Sequence, residues 1–367
     1  MNKTQEDTDS RLLSLDFFRG LTMFLLIAEF SHLFSYFVSP KLDGTFIYDL
    51  GTQLHHVEWI GLHFWDLIQP FFMFIVGVAM PLSFSKRIKK GDSYAQLTKH
   101  ALKRSLLLLF IGWALYCIDP GKIVFRFQNV LAQLGVTYIL AFWVIRKSVG
   151  IQISFSIFLI LISEGLYRFF PIQGFNSAFV AGENFGTWFN IIISGKEDGG
   201  HWAMFNAIPT AAHTIWGVLA GQLLMSNHSS KKKVLFLLGA GIIGLIIGYG
   251  LSPFTPIIKR ISTSTFVFVS GGWALISLAF CYWLIDIKKY QKGVFFFAIV
   301  GMNPLFIYLF AHVGGANLLR SIILPFANAL FTWTGELGAA IILSSTVLFM
   351  LWYICYWMYK KKIFVKL

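Results

Sequence analysis

Apolar runs of about 20 residues, separated by short polar intervals, recur along the whole chain, which is the pattern of helices crossing a bilayer core about 30 Å thick. They fall near 17–38, 60–84, 105–118, 129–146, 150–170, 207–226, 234–252, 266–286, 294–312 and 335–358. The pattern predicts an all-α polytopic integral membrane protein with about ten transmembrane helices. The polar intervals on one side hold 22 of the 30 Lys and Arg residues. By the positive-inside rule that side, with both termini, is expected to be cytoplasmic. The opposite intervals, notably 39–58, 171–206 and 313–334, are longer and rich in Gly, aromatic and polar residues. They are expected to form the outer surface, where a bulky substrate would be met. No internal repeat, low-complexity tract or long linker interrupts the pattern. A single transmembrane domain over 1–367 is the economical organisation, with a short cytoplasmic segment at 1–16 and a tail at 359–367. The opening MNKTQEDTDS lacks the compact apolar region and small-residue cleavage site of a removable signal peptide.

Composition sharpens this picture. Of 367 residues, 56% are hydrophobic and only 13% charged, about half the charged share of a soluble domain, roughly 25%. A mean hydropathy of +0.68 points the same way. An ordinary soluble domain is excluded, and membrane lipid is the expected solvent. The net charge of +13 raises the question of nucleic acid. However, the basic residues lie in short runs between apolar stretches, with no basic face interleaved with stacking aromatics. Cys117, Cys281 and Cys355 sit within or at the ends of apolar segments, and neither a disulfide framework nor a CxxC metal site can be built from them. No metal is expected.

The run GAGIIG (239–244) matches the dinucleotide fingerprint in letters only. That fingerprint needs a strand, a turn and then a helix, whereas these glycines lie inside an uninterrupted apolar run. Gly244 and Gly248, like Gly217 and Gly221, read as small faces that let helices approach closely. The Asn227 glycosylation sequon falls in a loop assigned to the cytoplasm.

Ionisable residues at membrane depth are costly and therefore carry more information. Glu29 lies roughly 18 Å up the first span, and Asp66 about 10 Å down the second, on a helical rise of 1.5 Å per residue. Similar depths would let the two share a proton, a cation or a substrate amine, or merely fix helix packing. If HHVEWIGLHFWDLIQP (55–70) continues as helix, His56, Trp59, His63, Asp66 and Pro70 form one polar stripe facing a cavity. His56 then stands at the outer mouth beside Glu58 and Trp59, placed to act as a general base or a nucleophile. On that helix Asp66 is about 15 Å away and cannot orient it. The other polar islands are Ser262 to Thr265, Asn303-Pro304 in the ninth span, and His312 near its outer end. Pro304 frees a backbone carbonyl beside the Asn303 amide, as in a broken helix that admits a ligand or in a simple kink. The basic loop 86–104, opening with Lys86, Arg87, Lys89 and Lys90, serves as a topology signal or as the holder of an anionic cofactor.

Five segments together resemble the heparan-α-glucosaminide N-acetyltransferase family, whose bacterial members include the NagX-type proteins. They are RLLSLDFFRGLTMFLLI (11–27), HHVEWIGLHFWDLIQPFFMFIVGVAMPLS (55–83), VLAQLGVTYILA (130–141), STFVFVSGGWALISLAFCYWLID (264–286) and IVGMNPLFIYLFAH (299–312). The most specific parts are Asp16 to Gly20 and the block from His56 through Trp59 and Gly61 to Asp66. The resemblance implies a transmembrane acyltransferase of the bacterial inner membrane. Its donor would be cytoplasmic acetyl-CoA, and its acceptor a glucosamine amine on the other side, with a homodimer as a further implication. His56 falls at the family's active-site histidine, Asp66 at the acid of its second motif and Asn303 at the asparagine of its GMN motif. The chain departs from the family at Glu29-Phe30, where an asparagine is usual, and at Ala132-Gln133, where a Gln-Arg pair is usual.

Acetyl transfer to an amine needs a base for the ammonium proton, a donor for the tetrahedral oxyanion, and both substrates at near-attack distance. On this reading His56 and Asp66 carry the catalysis. Glu29, Glu58, Trp59 and His312 contact the amino-sugar acceptor. Arg19, Lys86, Arg87 and Asn303 hold coenzyme A. A secondary transporter of amino sugars would also use intramembrane acids and interrupted helices, and an O-acyltransferase of surface polysaccharide would use the same histidine logic.

Overall fold

The computed structural model describes residues 12–118, 120–196 and 202–365. The MNKTQEDTDS segment and the last two residues of the tail lie outside the described residues. Every regular element among those described is helical, as expected of a multi-pass membrane protein. They gather into two compact units, one drawn from the described residues within 56–276 and the other from 12–55 with 277–365.

The first unit is built on α4 (Ile68–Lys89), α5 (Tyr94–Ile118), α6 (Val130–Val144), α7 (Val149–Arg168), α8 (Phe185–Ser194), α9 (Ala211–Met225), α10 (Ser230–Leu251) and the start of α11 (Ser264–Cys281). Its core joins Met80 and Phe84 of α4 to Tyr138 and Phe142 of α6 and to Ile215 and Val218 of α9. In lipid the hydrophobic effect does not drive helices together, so close backbone approach and dispersion must do so. The glycines supply that approach. A β-carbon on Gly217 would stand 3.0 Å from the Gly77 Cα and overlap the Phe74 carbonyl, and one on Gly221 would stand 2.5 Å from the Val78 carbonyl oxygen. The α10–α11 contact repeats the device. A β-carbon on Gly241 would lie 2.9 Å from the Gly272 carbonyl oxygen, and one on Gly244 would lie 3.1 Å from that of Phe268. The GAGIIG run is therefore helix-packing surface inside α10, with no strand before it.

The second unit contains α1 (Leu13–Phe30), α2 (Leu33–Phe37), α3 (Phe46–Gln53), α12 (Val294–Met302), α13 (Pro304–Phe310), α14 (Ala316–Phe331) and α15 (Gly335–Lys360). Helices α1 and α12 meet at Gly20 and Gly301, where a β-carbon on Gly301 would lie 2.9 Å from the Gly20 nitrogen. Phe297 packs edge-on against Phe17 at 5.4 Å and Phe24 at 5.3 Å. The expected break at Asn303-Pro304 is present. Asn303 leaves helical geometry at φ −126°, ψ 50°, and Pro304 starts α13, where its missing N–H has no consequence.

Each expected span overlies helix, but three expectations about the intervals are corrected. The interval 313–334 is not an open connection between helices. It is mostly α14, entered through a turn at Gly314 (φ 100°) and anchored by Arg320, which donates to the Ser344 hydroxyl at 3.0 Å and the Tyr36 hydroxyl at 2.6 Å. Much of the loop 86–104 is also helical, as α4 runs on to Lys89 and α5 begins at Tyr94. The second span starts late, because residues 54–63 are not helical. Among the described residues, six helical stretches are long and apolar enough on their own to cross a membrane. Helices α6 and α9, at 15 residues each, span only about 22 Å, so helix length does not by itself set the number of crossings at ten.

Gly217→Val is expected to destabilise the protein by about 1–3 kcal/mol through overpacking, read as a lower melting temperature in detergent. Gly239→Val on α10, where a β-carbon meets nothing within 4 Å, is expected to melt like the wild type. Equal effects would show that the glycine crossing does not hold the helices.

Candidate active site

The site is set by what happens between α3 and α4. Helix cannot continue through this segment, because Gly61 adopts φ +127°, a conformation open to glycine and strained for other residues. The backbone groups so released find partners within the same unit. The Gly61 N–H donates to the Ile257 carbonyl at 2.9 Å, and the Trp59 indole N–H donates to the Phe179 carbonyl at 2.7 Å. His63 is extended and caps the short turn Phe64–Leu67 that leads into α4. Asp66 occupies the third position of that turn and completes a capping box with His63.

This overturns the helical stripe and its 15 Å separation. The chain folds back, and His56 Nδ1 donates to Asp66 Oδ1 at 2.8 Å. The other carboxylate oxygen accepts the His63 N–H at 3.0 Å and the Val57 N–H at 3.4 Å. Asp66 is only 1% exposed. A buried carboxylate is tolerated when hydrogen bonds and an opposite charge replace its water, and the first turn of a helix adds a favourable dipole.

The opposite charge comes from Lys259, a residue outside the candidate set named from the sequence. Its Nζ lies 3.5 Å from Asp66 Oδ1, 3.0 Å from His56 Nδ1 and 3.5 Å from His56 Nε2, and 5.4 Å over the Trp202 ring. The lysine side chain is 7% exposed. It sits on a turn that the Ser262–Thr265 island builds. The Ser262 hydroxyl donates to the Lys259 carbonyl, Thr263 Oγ1 accepts the Ile258 N–H, and the Thr265 hydroxyl donates to the Pro256 carbonyl. Ser262 itself holds φ +49°. The signal in the sequence was a Lys-Arg pair next to four hydroxyl residues at the head of an apolar span.

An aromatic wall backs the site. Trp59 packs with Tyr167, Phe179, Phe185, Trp188 and Phe205 in one cluster with Ile258 and Ile261. The His56 side chain remains 40% exposed. With the proton on Nδ1 engaged by Asp66, Nε2 carries the lone pair, with Lys259 Nζ 3.5 Å from it, a tautomer assigned from the hydrogen-bond network. Burial, and then the positive charges of Lys259 and Arg260, hold the imidazole below its ordinary value of 6.5, against the opposing pull of Asp66. The ring is thus neutral at pH 7 and able to take a proton. This is the arrangement of a base oriented by a carboxylate.

The remaining sequence candidates divide between the units. Glu58 is exposed at the rim beside Trp59. Lys86 is exposed at the end of α4, and Arg87 pairs with Asp92 at 2.8 Å. Arg87 also lies within electrostatic reach of His100, as do Lys103 and Arg104. The Arg104 guanidinium covers the Tyr138 ring at 4.9 Å, and its Nε, like His100 Nδ1, is buried without a hydrogen-bond partner among the described residues. In the other unit, Arg19 pairs with Asp16 at 3.5 Å, and Glu29 is exposed on α1. His312 stacks on Tyr308 at 5.5 Å. Asn303 uses both ends of its amide on the C-terminal tail, donating to the Ile363 carbonyl and accepting the Val365 N–H, each at 2.9 Å. Asp66 meets His56 and Lys259 within its own unit. Gln133, at the second departure from the family pattern, is buried and bonded to Gln69. Among the described residues, no three His, Cys, Asp or Glu side chains form a group that could hold a metal ion.

A profile described as heparan-alpha-glucosaminide N-acetyltransferase, catalytic, matches residues 11–250, a range that contains His56 and Asp66. The chain is similar to the heparan-alpha-glucosaminide N-acetyltransferase of Mus musculus, with 25% identity over 434 aligned residues covering 100% of this chain and 62% of the relative. The Homo sapiens protein of the same name is 25% identical over 368 residues, covering 82% of this chain and 52% of the relative. The chain therefore spans between about half and three-fifths of the length of these curated relatives.

Because the folded state lowers the affinity of His56 for a proton, its carbethoxylation by diethyl pyrocarbonate is expected to persist below pH 6.5 and to fall only in more acidic buffer. The readout is mass spectrometry of the peptide that contains it. A midpoint at or above 6.5 would contradict the burial and positive surroundings assigned to the ring.

Proposed function

The chain belongs to the heparan-alpha-glucosaminide N-acetyltransferase family, and on that premise we propose that it transfers the acetyl group of acetyl-CoA to the amine of glucosamine or of a terminal glucosaminide. It works as a multi-pass enzyme of a bacterial inner membrane, with both termini and the donor on the cytoplasmic side and the acceptor on the other. The observation that carries this reading is the His56–Asp66 hydrogen bond of 2.8 Å, which leaves Nε2 as a base on a part-exposed ring.

The amine nitrogen attacks the thioester carbonyl carbon, so that a C–N bond forms and the carbonyl electron pair moves to oxygen. His56 Nε2 accepts the ammonium proton. When the tetrahedral species collapses, the C–S bond breaks and the same nitrogen returns the proton to the coenzyme A thiolate. The products are the acetamide and free coenzyme A. Asp66 holds the ring by its Nδ1–H throughout and stabilises the transient imidazolium. Trp59 and Glu58 at the rim suit a sugar, offering an apolar ring for its faces and a carboxylate for its hydroxyls or amine.

The residues available for coenzyme A fit an anion. Arg104 Nε and His100 Nδ1 are buried without hydrogen-bond partners among the described residues, and Arg87, paired with Asp92, lies within electrostatic reach of His100; this is a set of groups that phosphate oxygens can satisfy. Lys86 and Lys103 add charge. Tyr94, stacked on Phe142 at 5.9 Å and covered by Arg146 at 4.7 Å, adds an aromatic surface.

Purified protein in lipid nanodiscs is expected to release coenzyme A from acetyl-CoA when glucosamine is added. His56→Ala is expected to abolish that release while leaving the fold and acetyl-CoA binding largely unchanged; normal turnover in this variant would refute the assignment. Uptake of labelled glucosamine into vesicles free of acetyl-CoA, with no coenzyme A release, would favour a carrier instead. Acetylation of sugars that lack an amine would favour a hydroxyl acceptor. Arg104→Ala is expected to raise KM for acetyl-CoA about tenfold, the loss of roughly 1.4 kcal/mol of binding, with little change in kcat. An unchanged KM would remove Arg104 from the phosphate site.

A further inference from the structure

We propose that Lys259 is a catalytic residue of the acetyl transfer, its ammonium group donating to the oxyanion that forms on the acetyl carbonyl beside His56. The inference rests on the acetyl-transfer reading of the site. Three observations carry it.

The first is position. Nζ lies within 3.5 Å of both ring nitrogens of His56. A carbonyl carbon attacked by an amine whose proton passes to Nε2 must itself sit close to Nε2, so its oxygen comes within reach of the ammonium.

The second is isolation from water. The lysine side chain is 7% exposed and faces a carboxylate that is 1% exposed, in a place where a fixed charge acts through a low dielectric. The Trp202 ring faces the ammonium at 5.4 Å, a cation–π contact in place of water.

The third is orientation. The Lys259 backbone is held by the Ser262 hydroxyl, and the adjacent Arg260 carbonyl accepts the Ala203 N–H at 3.0 Å and the Asn206 amide at 2.7 Å. The cation is therefore in place before substrate arrives, which distinguishes a useful oxyanion donor from a flexible surface lysine.

The same charge has a second effect. The groups that act on His56 are Asp66, which favours the imidazolium, and Lys259 and Arg260, which oppose it. A cation 3.0 Å from the ring makes the imidazolium short-lived, so the proton taken from the amine is passed on to the thiolate. Lys259 thus favours both charge movements of the reaction, negative charge onto oxygen and the proton off the ring.

The test compares wild type with Lys259→Met and Lys259→Arg in nanodiscs, measuring kcat and KM for acetyl-CoA with glucosamine, the pH dependence of kcat/KM, and His56 carbethoxylation against pH. Removal of an oxyanion donor lowers kcat by about 10²- to 10³-fold. Lys259→Met is expected to show that loss with little change in KM, and to move both the acidic limb of kcat/KM and the His56 labelling midpoint to higher pH. Lys259→Arg is expected to restore part of kcat and the wild-type midpoint. A folded Lys259→Met protein with wild-type kcat would overturn the proposal. So would a loss of kcat that leaves both pH midpoints in place and is not relieved by arginine, since a packing role alone would do that. If Lys259→Met does not fold, Lys259→Arg with neither activity nor the wild-type labelling midpoint would overturn it equally. The labelling needs no turnover. Wild-type protein that releases no coenzyme A with any amine would instead count against the acetyl-transfer reading, a result distinct from failure of Lys259 alone.

Discussion

A carboxylate almost sealed from water is the constraint around which the first unit is arranged. Asp66 begins a helix that continues as an apolar span, and an unpaired charge there would be prohibitive. Its compensation is drawn from three places in the chain. Two backbone N–H groups come from the loop just before it, an imidazole from ten residues upstream, and an ammonium from nearly 200 residues downstream. Satisfying the carboxylate therefore fixes the loop 54–63, the ring of His56 and the turn bearing Lys259 relative to one another. The chemical asset of the site, a neutral imidazole with one nitrogen tethered and the other open, follows from that requirement.

The surroundings are built to hold such a loop still. Loops at a membrane surface are usually the mobile part of a protein. Here Gly61 is tied to Ile257, Trp59 to Phe179, and Ala203 and Asn206 to Arg260, so segments distant in sequence brace one another with backbone hydrogen bonds. The aromatic cluster around Phe185 fills the space behind them, with Phe170 and Phe205 rings 4.9 Å and 4.8 Å away. Rigid placement of this kind suits a reaction whose rate depends on pre-set charge and near-attack geometry more than on binding strength.

The helices were legible because lipid imposes a strong rule: about 20 apolar residues per crossing, charge at the ends, glycine where helices touch. The packing roles of Gly217, Gly221, Gly244 and Gly248, and the break at Asn303-Pro304, could be read in this way. The geometry of the site could not. Extending a 3.6-residue period through His56, Trp59, His63 and Asp66 gave the wrong arrangement, because residues 54–63 are not helical and Gly61 takes a positive φ that sequence does not reveal. Lys259 was missed for a related reason. Counting cations by side of the membrane treats each as a topological vote, whereas this one is held inward by a carboxylate almost two hundred residues away in sequence. Helix α14 escaped because its polar and apolar positions alternate as on an amphipathic surface, which lowers the average hydropathy that marks a span.

The chemistry of the site depends most on the tether between Asp66 and His56. Nitrogen-15 NMR of histidine-labelled protein in nanodiscs at neutral pH, with His56 assigned by comparison with His56→Gln, reports the tautomer directly. The structure requires a neutral ring protonated at Nδ1, with Nε2 bare, and loss of that preference in Asp66→Asn. A His56 protonated at Nε2, or a tautomer indifferent to the Asp66 substitution, would contradict it.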